Sequence, residues 1–192
     1  MGNQVRISDS TISYEVVYRN IKYPRLEFKT GELLLVLPKN YENQSNIIEK
    51  HKKWIHRRNA EIVAALEEAR KKRLELKRTD KEFKQLIQSF VENISEELKI
   101  KINNIYYRKM KSKWGSCSSK KNLTINIILK YLPEDMVEYV IFHEMVHLIE
   151  RKHNEYFWKI ISNKFENYSE KEKSLFEYWF LIQEVNEIKP MR

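Results

Sequence analysis

The sequence predicts an α+β protein, because strand patterns and helix patterns occupy separate blocks along the chain. Apolar and polar residues alternate within residues 12–37 and again within residues 123–129, which is typical of half-buried strands. In residues 45–98 and from residue 133 onward, apolar residues recur every three or four positions instead, as on one face of a helix. Only three glycines and four prolines occur in 192 residues, so a collagen-like, repetitive or wholly disordered chain is excluded.

The first block predicts a small N-terminal β region. Tyr14, Val16 and Tyr18 alternate with polar or smaller neighbours, and the Thr-Gly pair at residues 30–31 marks a turn before an apolar strand at 33–37. From about residue 45 the period becomes helical. We therefore place an N-terminal β region at residues 1–44 and a helical region, which contains the site described below, at residues 45–192. No linker rich in proline, glycine or serine separates them, and we expect one continuous domain.

The helical region begins with two predicted helices. The first starts near Ser45 and ends at the basic run 70–73. Asp80 is placed as the N-cap of the second, which extends to Leu98. The remaining predicted elements are a strand (105–107), a turn or bulge (114–119), a half-buried strand (123–129) and three helices (133–148, 154–165 and 169–182).

The composition also bears on the compartment. Cys117 is the only cysteine, so an internal disulfide is excluded and a reducing compartment is favoured. The first twenty residues lack the apolar stretch of a signal peptide, and no run approaches the roughly 18 apolar residues of a membrane span. We therefore expect a cytoplasmic protein with no membrane partner.

Charge is distributed unevenly along the chain. The net charge is +9, but residues 50–130 hold 22 basic and nine acidic side chains, whereas residues 131–192 hold eight basic and twelve acidic ones. A basic segment of this kind is found in proteins that bind nucleic acid. It is more often a set of solvated helix surfaces that keep the chain soluble. The charge pattern alone therefore does not decide whether the protein binds nucleic acid.

The residues with the clearest chemistry are His143, Glu144 and His147. Two histidines four positions apart project from one face of a helix, so both imidazoles can reach one metal ion. Glu144 is offset by about 100° around the helix, where its carboxylate can take a proton from a water on that metal. This is the His-Glu-x-x-His pattern of zinc hydrolases, and apolar flanks place it in a buried helix, where unpartnered histidines would be costly. The pattern predicts one Zn²⁺ ion per chain.

His153 is the favoured third ligand. Five residues separate it from His147, and a turn after the helix would bring it back to the metal. The remaining histidines, His51 and His56, lie in the basic segment and are expected on the surface. A glutamate from a later position is the alternative, as in thermolysin-like sites. The candidates are Glu150, Glu155, Glu166, Glu170, Glu172 and Glu177.

Further blocks of sequence accompany this histidine pattern. They are Trp-Gly-Ser-Cys-Ser at 114–118, Ile-Asn at 125–126, Leu-Pro at 132–133, the segment 139–148, and His153 followed by Phe-Trp at 157–158. Together they resemble the YgjP-like metallopeptidase family, in the wider neighbourhood of the SprT-like and WLM zinc proteases. The resemblance extends over roughly residues 10–182.

The resemblance implies a zincin-like metallopeptidase domain with an N-terminal β-hairpin region and helices around a small mixed sheet. It implies that His143, His147 and His153 hold the metal and that Glu144 is the catalytic base. A protein or peptide is the implied substrate.

Residues that contact the substrate are harder to select. The strand at 123–129 is predicted to border the cleft, where a peptide could pair with it as an added strand. Asn126 and Tyr156 are candidate substrate-binding residues, although Asn126 fits a structural hydrogen bond equally well. An oxyanion in the transition state would need a donor besides zinc. The candidates are Tyr156, Tyr168 and Arg108.

Three functions follow from these patterns. The leading hypothesis is a zinc-dependent metallopeptidase that hydrolyses peptide bonds with a zinc-bound water activated by Glu144. The alternative is a nucleic-acid-associated SprT-like protease, or a DNA-binding protein, that uses the basic middle segment. A purely structural zinc domain is disfavoured, because structural sites usually close four protein ligands around the metal and only three are evident here.

Overall fold

The computed structural model describes residues 3–7, 10–29, 32–41 and 43–188. The chain divides into two compact units after Lys71. The first unit extends to Lys71 and also includes the chain from Gln183 onward, whereas the second comprises Lys72–Ile182. The division into residues 1–44 and 45–192 concerns folding domains and stays a prediction.

Four strands of the first unit form one mixed sheet. Its order is β1 (Asn3–Ile7), β2 (Ser10–Arg19), β4 (Glu32–Pro38) and β3 (Arg25–Lys29), with β4 parallel to β2 and antiparallel to β3. The apolar run of β4 is buried between these neighbours, which explains its continuous hydrophobicity. The predicted β region is confirmed and β1 is an additional strand, while the turn predicted at residues 30–31 lies outside the described residues.

Two helices, α1 (Gln44–Lys50) and α2 (Lys52–Ala69), replace the single helix predicted from residue 45. The break falls at His51, whose φ of −106° and ψ of 11° depart from helical values. Its N–H is shared between the carbonyls of Ile47 and Ile48, at 3.1 and 3.2 Å. Because the interruption is one residue long, the apolar period passes through it almost unchanged, and the sequence pattern does not reveal the break.

The second unit contains helix α3 (Asp80–Leu98). The Thr79 hydroxyl accepts the Glu82 N–H at 3.2 Å, and the Glu82 carboxylate accepts the Thr79 N–H at 2.7 Å, which is a capping box. Asp80 is therefore the first helical residue, and its prediction as the N-cap was wrong. The apolar face of α3 buries Phe83, Ile87, Val91 and Ile94 in the core of this unit.

A second, three-stranded sheet lies in the same unit. Strand β7 (Asn122–Asn126) is central, with β5 (Asn104–Arg108) parallel on one side and β6 (Gly115–Cys117) antiparallel on the other. The turn or bulge predicted at residues 114–119 was therefore wrong, since these residues include an edge strand. Three residues, two of them Gly and Ser, are too few to show a period-two pattern.

The strand predicted at residues 123–129 ends at Asn126. The next residues, Ile127–Tyr131, form a 3-10 helix, and the Asn126 side chain accepts the N–H of Ile128 at 3.4 Å. Ile127 is 40% exposed, whereas Ile128 and Leu129 are buried, so the expected alternation stops where the helix begins.

Three helices complete the fold: α4 (Glu134–Val146), α5 (Glu155–Lys164) and α6 (Tyr168–Ile188). All three were predicted, and the α+β class is confirmed. Helix α4 is buried on nearly every side, with Tyr139 and Phe142 among its fully buried side chains. None of the helices in the described residues is both long enough and apolar enough to cross a membrane.

Candidate metal centre

Helix α4 supplies the first two histidines. His143 lies in its last turn and His147 is its C-cap, so the four-residue spacing places both imidazoles at the buried end of the helix. The ring centroids of the two lie 5.2 Å apart. The predicted pairing of His143 and His147 on one helix face is therefore present in the structure.

His153 reaches the same point from the turn that links α4 to α5. The turn is tightened by hydrogen bonds from the N–H groups of Ile149 and Glu150 to the Val146 carbonyl. The Nε2 atom of His153 lies 3.0 Å from Nε2 of His143 and 3.1 Å from Nε2 of His147. Three nitrogens bound tetrahedrally to zinc would be about 3.3 Å apart, so the three side chains fit one ion.

No glutamate joins this cluster in the described part of the chain. His143, His147 and His153 form the one group of three in which all the ligand atoms lie within 4.8 Å of one another. The six glutamates considered as a third ligand are not members of the group. The structure thus places His153, and not one of these glutamates, as the third member beside the two helix histidines.

Aromatic rings hold the imidazoles in place. Phe157, which is fully buried at the start of α5, stacks on His147 with centroids 4.8 Å apart and contacts His153 edge-on at 4.6 Å. Trp158 packs against His153 at 5.4 Å. Asn154 caps α5 by accepting the Phe157 N–H at 3.0 Å, which fixes where these rings sit.

The outer nitrogens of the two helix histidines differ in their partners. Nδ1 of His147 lies 3.2 Å from the carbonyl oxygen of Glu150, so a proton on Nδ1 leaves Nε2 free to bind a metal. Nδ1 of His143 is buried without a hydrogen bond of ordinary geometry. Its nearest carboxylate oxygen is Oε1 of Glu172, at 3.4 Å.

The surroundings favour neutral imidazoles. Burial lowers the pKa of His147, and the nearby histidines add to this effect against the hydrogen bond to Glu150. Burial also lowers the pKa of His153, again with a contribution from His143. A neutral imidazole is the form that binds a metal ion, so the cluster has the donor chemistry of a metal site.

Glu144 lies beside the histidines and is largely buried. Burial raises the pKa of its carboxyl group, while the charges of His143 and Lys113 and the N–H of Cys117 act in the opposite direction. Strand β6 packs directly on it: a Cβ atom at Gly115 would lie 2.9 Å from Cγ of Glu144. The absence of a side chain at Gly115 therefore makes room for this carboxylate.

The cluster forms one wall of an open cleft of about 660 Å³. The rest of the lining comes largely from β6 and the residues on either side of it. Lys113, Lys121 and Arg151 add three cationic side chains to the lining, and none of them was predicted as a site residue. Lys113 precedes the Trp-Gly-Ser-Cys-Ser block directly, which is the signal by which the sequence could have indicated it.

The predicted substrate-binding residues lie elsewhere. Asn126 is fully buried, and all its polar atoms are used: Oδ1 accepts from the Met110 N–H, and Nδ2 donates to the carbonyls of Met110 and Lys113 at 2.9 and 2.8 Å. These bonds fit the structural role considered for Asn126, and its substrate role stays a prediction. Tyr156 is 55% exposed on α5 and does not line the cleft, and its substrate role stays a prediction.

The other oxyanion candidates also lie outside the cleft lining. Tyr168 stacks on Trp158 with ring centroids 5.1 Å apart. Arg108 lies over the Tyr106 ring at 5.8 Å. The cationic groups that the structure does bring to the cleft are Lys113, Lys121 and Arg151.

A separate groove of about 550 Å³ lies in the first unit, lined by residues of β3, α1 and α2 such as Arg25, Asn46 and Trp54. No cluster of metal-ligating side chains occurs there among the described residues. The candidate metal-ligating group among the described residues therefore lies at the end of α4 and not in this groove.

Three histidines next to a largely buried carboxylate, on the wall of an open cleft, define the kind of site that metal-dependent hydrolases use. The YgjP-like, metallopeptidase domain family model matches residues 64–178, more than half of the chain. The protein belongs to this family and is a metallopeptidase, as the sequence resemblance indicated. No curated protein matches the chain.

Two solved structures are similar to part of the chain. The metallopeptidase zymogen abylysin of Pyrococcus abyssi is 22% identical with a TM-score of 0.41, and the match covers 45% of this chain and 87% of that one. The metallopeptidase zymogen jannalysin of Methanocaldococcus jannaschii is 28% identical with a TM-score of 0.41, covering 46% and 84%.

Proposed function

We propose that the protein is a zinc-dependent metallopeptidase in which His143, His147 and His153 hold one Zn²⁺ per chain and Glu144 is the catalytic base. The observation that carries the proposal is the convergence of three Nε2 atoms, 3.0 and 3.1 Å apart, beside a largely buried carboxylate. Three protein ligands leave a coordination position open, which is typical of catalytic and not structural zinc sites.

Zinc is the metal that best suits these donors. Imidazole nitrogens are borderline ligands, and magnesium and calcium prefer oxygen donors, of which the cluster has none. When bound, zinc would lower the pKa of a water in its open position and polarise the carbonyl group of the substrate.

Glu144 would move the proton in this reaction. Its carboxylate accepts a proton from the attacking water and returns it to the amine that leaves when the amide bond breaks. Burial raises the pKa of this group, which strengthens it as a base. The Cys117 N–H and the close contact with Gly115 hold the carboxylate in place for that role.

A peptide substrate is proposed to lie along β6. Trp114 and Ser118 exchange hydrogen bonds with β7, and because antiparallel pairs alternate, Gly115 and Cys117 point their backbone groups away from it. This edge lines the cleft, where the Cys117 N–H already binds the Glu144 carboxylate, and its other outward backbone groups would give an extended peptide hydrogen-bonding partners. The strand predicted at 123–129 was expected to pair with the peptide. It corresponds to β7, which lies between β5 and β6 and has no free edge.

The decisive experiment is Glu144→Gln, assayed on a library of fluorogenic peptides. We expect a loss of at least about 10²-fold in kcat/KM, with zinc content retained at one ion per chain. Glu92→Gln, an exposed position on α3, is the matched control and should cleave like the wild type. Wild-type rates in Glu144→Gln would exclude the proposed mechanism.

The metal assignment has its own test. His153→Ala should lose most of the zinc found by elemental analysis, because two remaining imidazoles bind the ion far more weakly than three. His56→Ala, an exposed histidine on α2, should keep it. Unchanged zinc content in His153→Ala would remove this residue from the ligand set.

A further inference from the structure

We propose that Glu172 is a positioning residue of the metal centre. Its carboxylate accepts a hydrogen bond from the Nδ1–H group of His143 and so directs Nε2 of that ring to the metal. Tyr139 holds the carboxylate in turn. This inference rests on the proposed function, because it concerns how one of the proposed ligands is oriented.

The geometry links three side chains from two helices. Oε1 of Glu172, near the start of α6, lies 3.4 Å from Nδ1 of His143. The Tyr139 hydroxyl donates to the same oxygen at 2.6 Å. Tyr139 is fully buried and lies one turn before His143 on α4, so its ring, 6.1 Å from the imidazole, is fixed by the helix.

The Nδ1 atom of His143 needs such an acceptor. A histidine that binds metal through Nε2 is neutral and carries its proton on Nδ1. This atom is buried and has no hydrogen bond of ordinary geometry. The 3.4 Å distance is a few tenths of an ångström longer than an ordinary hydrogen bond. Because the carboxylate is half-buried and anchored by Tyr139, a small shift closes this gap.

The same contact shows that Glu172 is not itself a ligand of the ion. It approaches His143 from the Nδ1 side, whereas the histidine cluster lies on the Nε2 side. The equivalent proton of His147 meets only a backbone carbonyl, that of Glu150 at 3.2 Å. A carboxylate is the stronger acceptor and makes the imidazole a more basic ligand, so the contact with Glu172 raises metal affinity.

The test is a zinc competition titration against a chromophoric chelator, with folding followed by circular dichroism. Glu172→Ala should weaken zinc binding by about 10- to 100-fold. Glu172→Gln should lose less zinc affinity than Glu172→Ala, because its amide oxygen still accepts a hydrogen bond from Nδ1–H, although it carries no charge. Glu170→Ala, exposed on the same helix, should bind zinc like the wild type.

Tyr139→Phe keeps the buried ring and removes only the hydroxyl, so it tests the same link if Glu172→Ala does not fold. We expect about a fivefold weaker affinity. Proton NMR of the zinc-loaded protein adds a readout that general destabilisation does not move: the low-field Nδ1–H signal of His143 should shift in Glu172→Gln and stay in place in Glu170→Ala.

The outcomes separate the two proposals. If the wild type binds zinc, His143→Ala loses it, and folded Glu172→Ala and Tyr139→Phe both keep wild-type affinity, the role of Glu172 is overturned while the proposed function stands. If the wild type binds no zinc, both proposals fail together.

Discussion

Gly115 is the residue at which the smallest change should have the clearest effect. An added Cβ would lie 2.9 Å from Cγ of Glu144 and 3.3 Å from its Cδ and Oε1 atoms, closer than side-chain atoms normally approach. The flexible end of Glu144 would then swing away from its position beside the histidines. The glycine in the Trp-Gly-Ser-Cys-Ser block is therefore explained by space for the Glu144 carboxylate.

We predict that Gly115→Ala lowers kcat/KM by about 10²-fold, the cost of misplacing a catalytic group by about 1 Å. Zinc affinity should stay close to that of the wild type, because no histidine of the cluster is among the atoms that the new Cβ would meet. Lys120→Ala, an exposed position in the turn after β6, serves as the control. Full activity in Gly115→Ala would mean that Glu144 tolerates the shift.

The site residues differ in how far the sequence could define them. His143, Glu144 and His147 follow from helical spacing alone, because the helix fixes their relative positions. His153 depends on a turn whose path the sequence does not show, and Glu172 depends on how α6 packs against α4. Asn126 illustrates the limit: a polar residue in an apolar strand fits substrate binding and a buried hydrogen-bonding role equally well.

The helices and strands also differ in how well the sequence predicts them. Helices α4, α5 and α6 were predictable because each is long enough for its apolar period to be unambiguous. The edge strand β6 was not, since three residues carry no period and its strand character depends on pairing with β7. The break at His51 and the 3-10 helix at Ile127–Tyr131 were missed because both keep apolar residues at spacings that suit the longer element.

Helix α5, which carries the aromatic wall of the site, is tied to its neighbours through one lysine. The Lys164 ammonium bonds to Glu97 of α3 and lies 3.1 Å from a carboxylate oxygen of Glu138 on α4. It also lies over the Phe142 ring at 5.1 Å. Burial alone would lower the pKa of Lys164, but the two carboxylates outweigh it and raise the pKa above its usual value.

This arrangement predicts a pH-dependent stability. A lysine with a raised pKa in the folded state contributes stability fully below its unfolded pKa of about 10.4, and loses it as the pH rises through the higher folded value. At pH 8 the free energy of unfolding of Lys164→Met should be about 1–2 kcal/mol lower than that of the wild type. This difference should shrink above about pH 11. Urea titrations at both pH values measure it.

Lys159→Met provides the comparison for Lys164→Met, because Lys159 is an exposed lysine on the same helix. It should change stability little at either pH. A Lys164→Met deficit that stays constant between pH 8 and pH 11.5 would show that lost packing, and not the ion pairs, causes the destabilisation.

On the scale of the whole chain, the basic stretch and the histidine cluster lie in different parts of the sequence. Residues 99–130 contain nine basic and no acidic side chains, while helix α4, which carries His143 and His147, lies in the acidic part that follows. Two lysines of this basic stretch, Lys113 and Lys121, line the histidine cleft, and the charge of Lys113 lowers the pKa of Glu144. A nucleic-acid partner and a cytoplasmic location stay predictions of the sequence, with salt-sensitive binding to duplex DNA as the test of the first.

Metal binding should be visible in the stability of the protein as a whole. The three histidines come from the end of α4 and the turn before α5, so an ion that binds them joins two elements of the second unit. A ligand that binds only the folded state stabilises it in proportion to the logarithm of its free concentration. With zinc at about 1,000 times its Kd, this amounts to about 4 kcal/mol.

We therefore predict that excess EDTA lowers the midpoint of thermal unfolding by about 10 °C or more relative to the zinc-loaded protein. His147→Ala should unfold at the same temperature with and without zinc, since its ligand set is incomplete. His56→Ala should keep the full zinc-dependent shift, because that histidine lies on α2, away from the cluster. A zinc-loaded wild type whose midpoint does not respond to EDTA would mean that the three histidines do not hold the ion in the folded state, whatever their spacing.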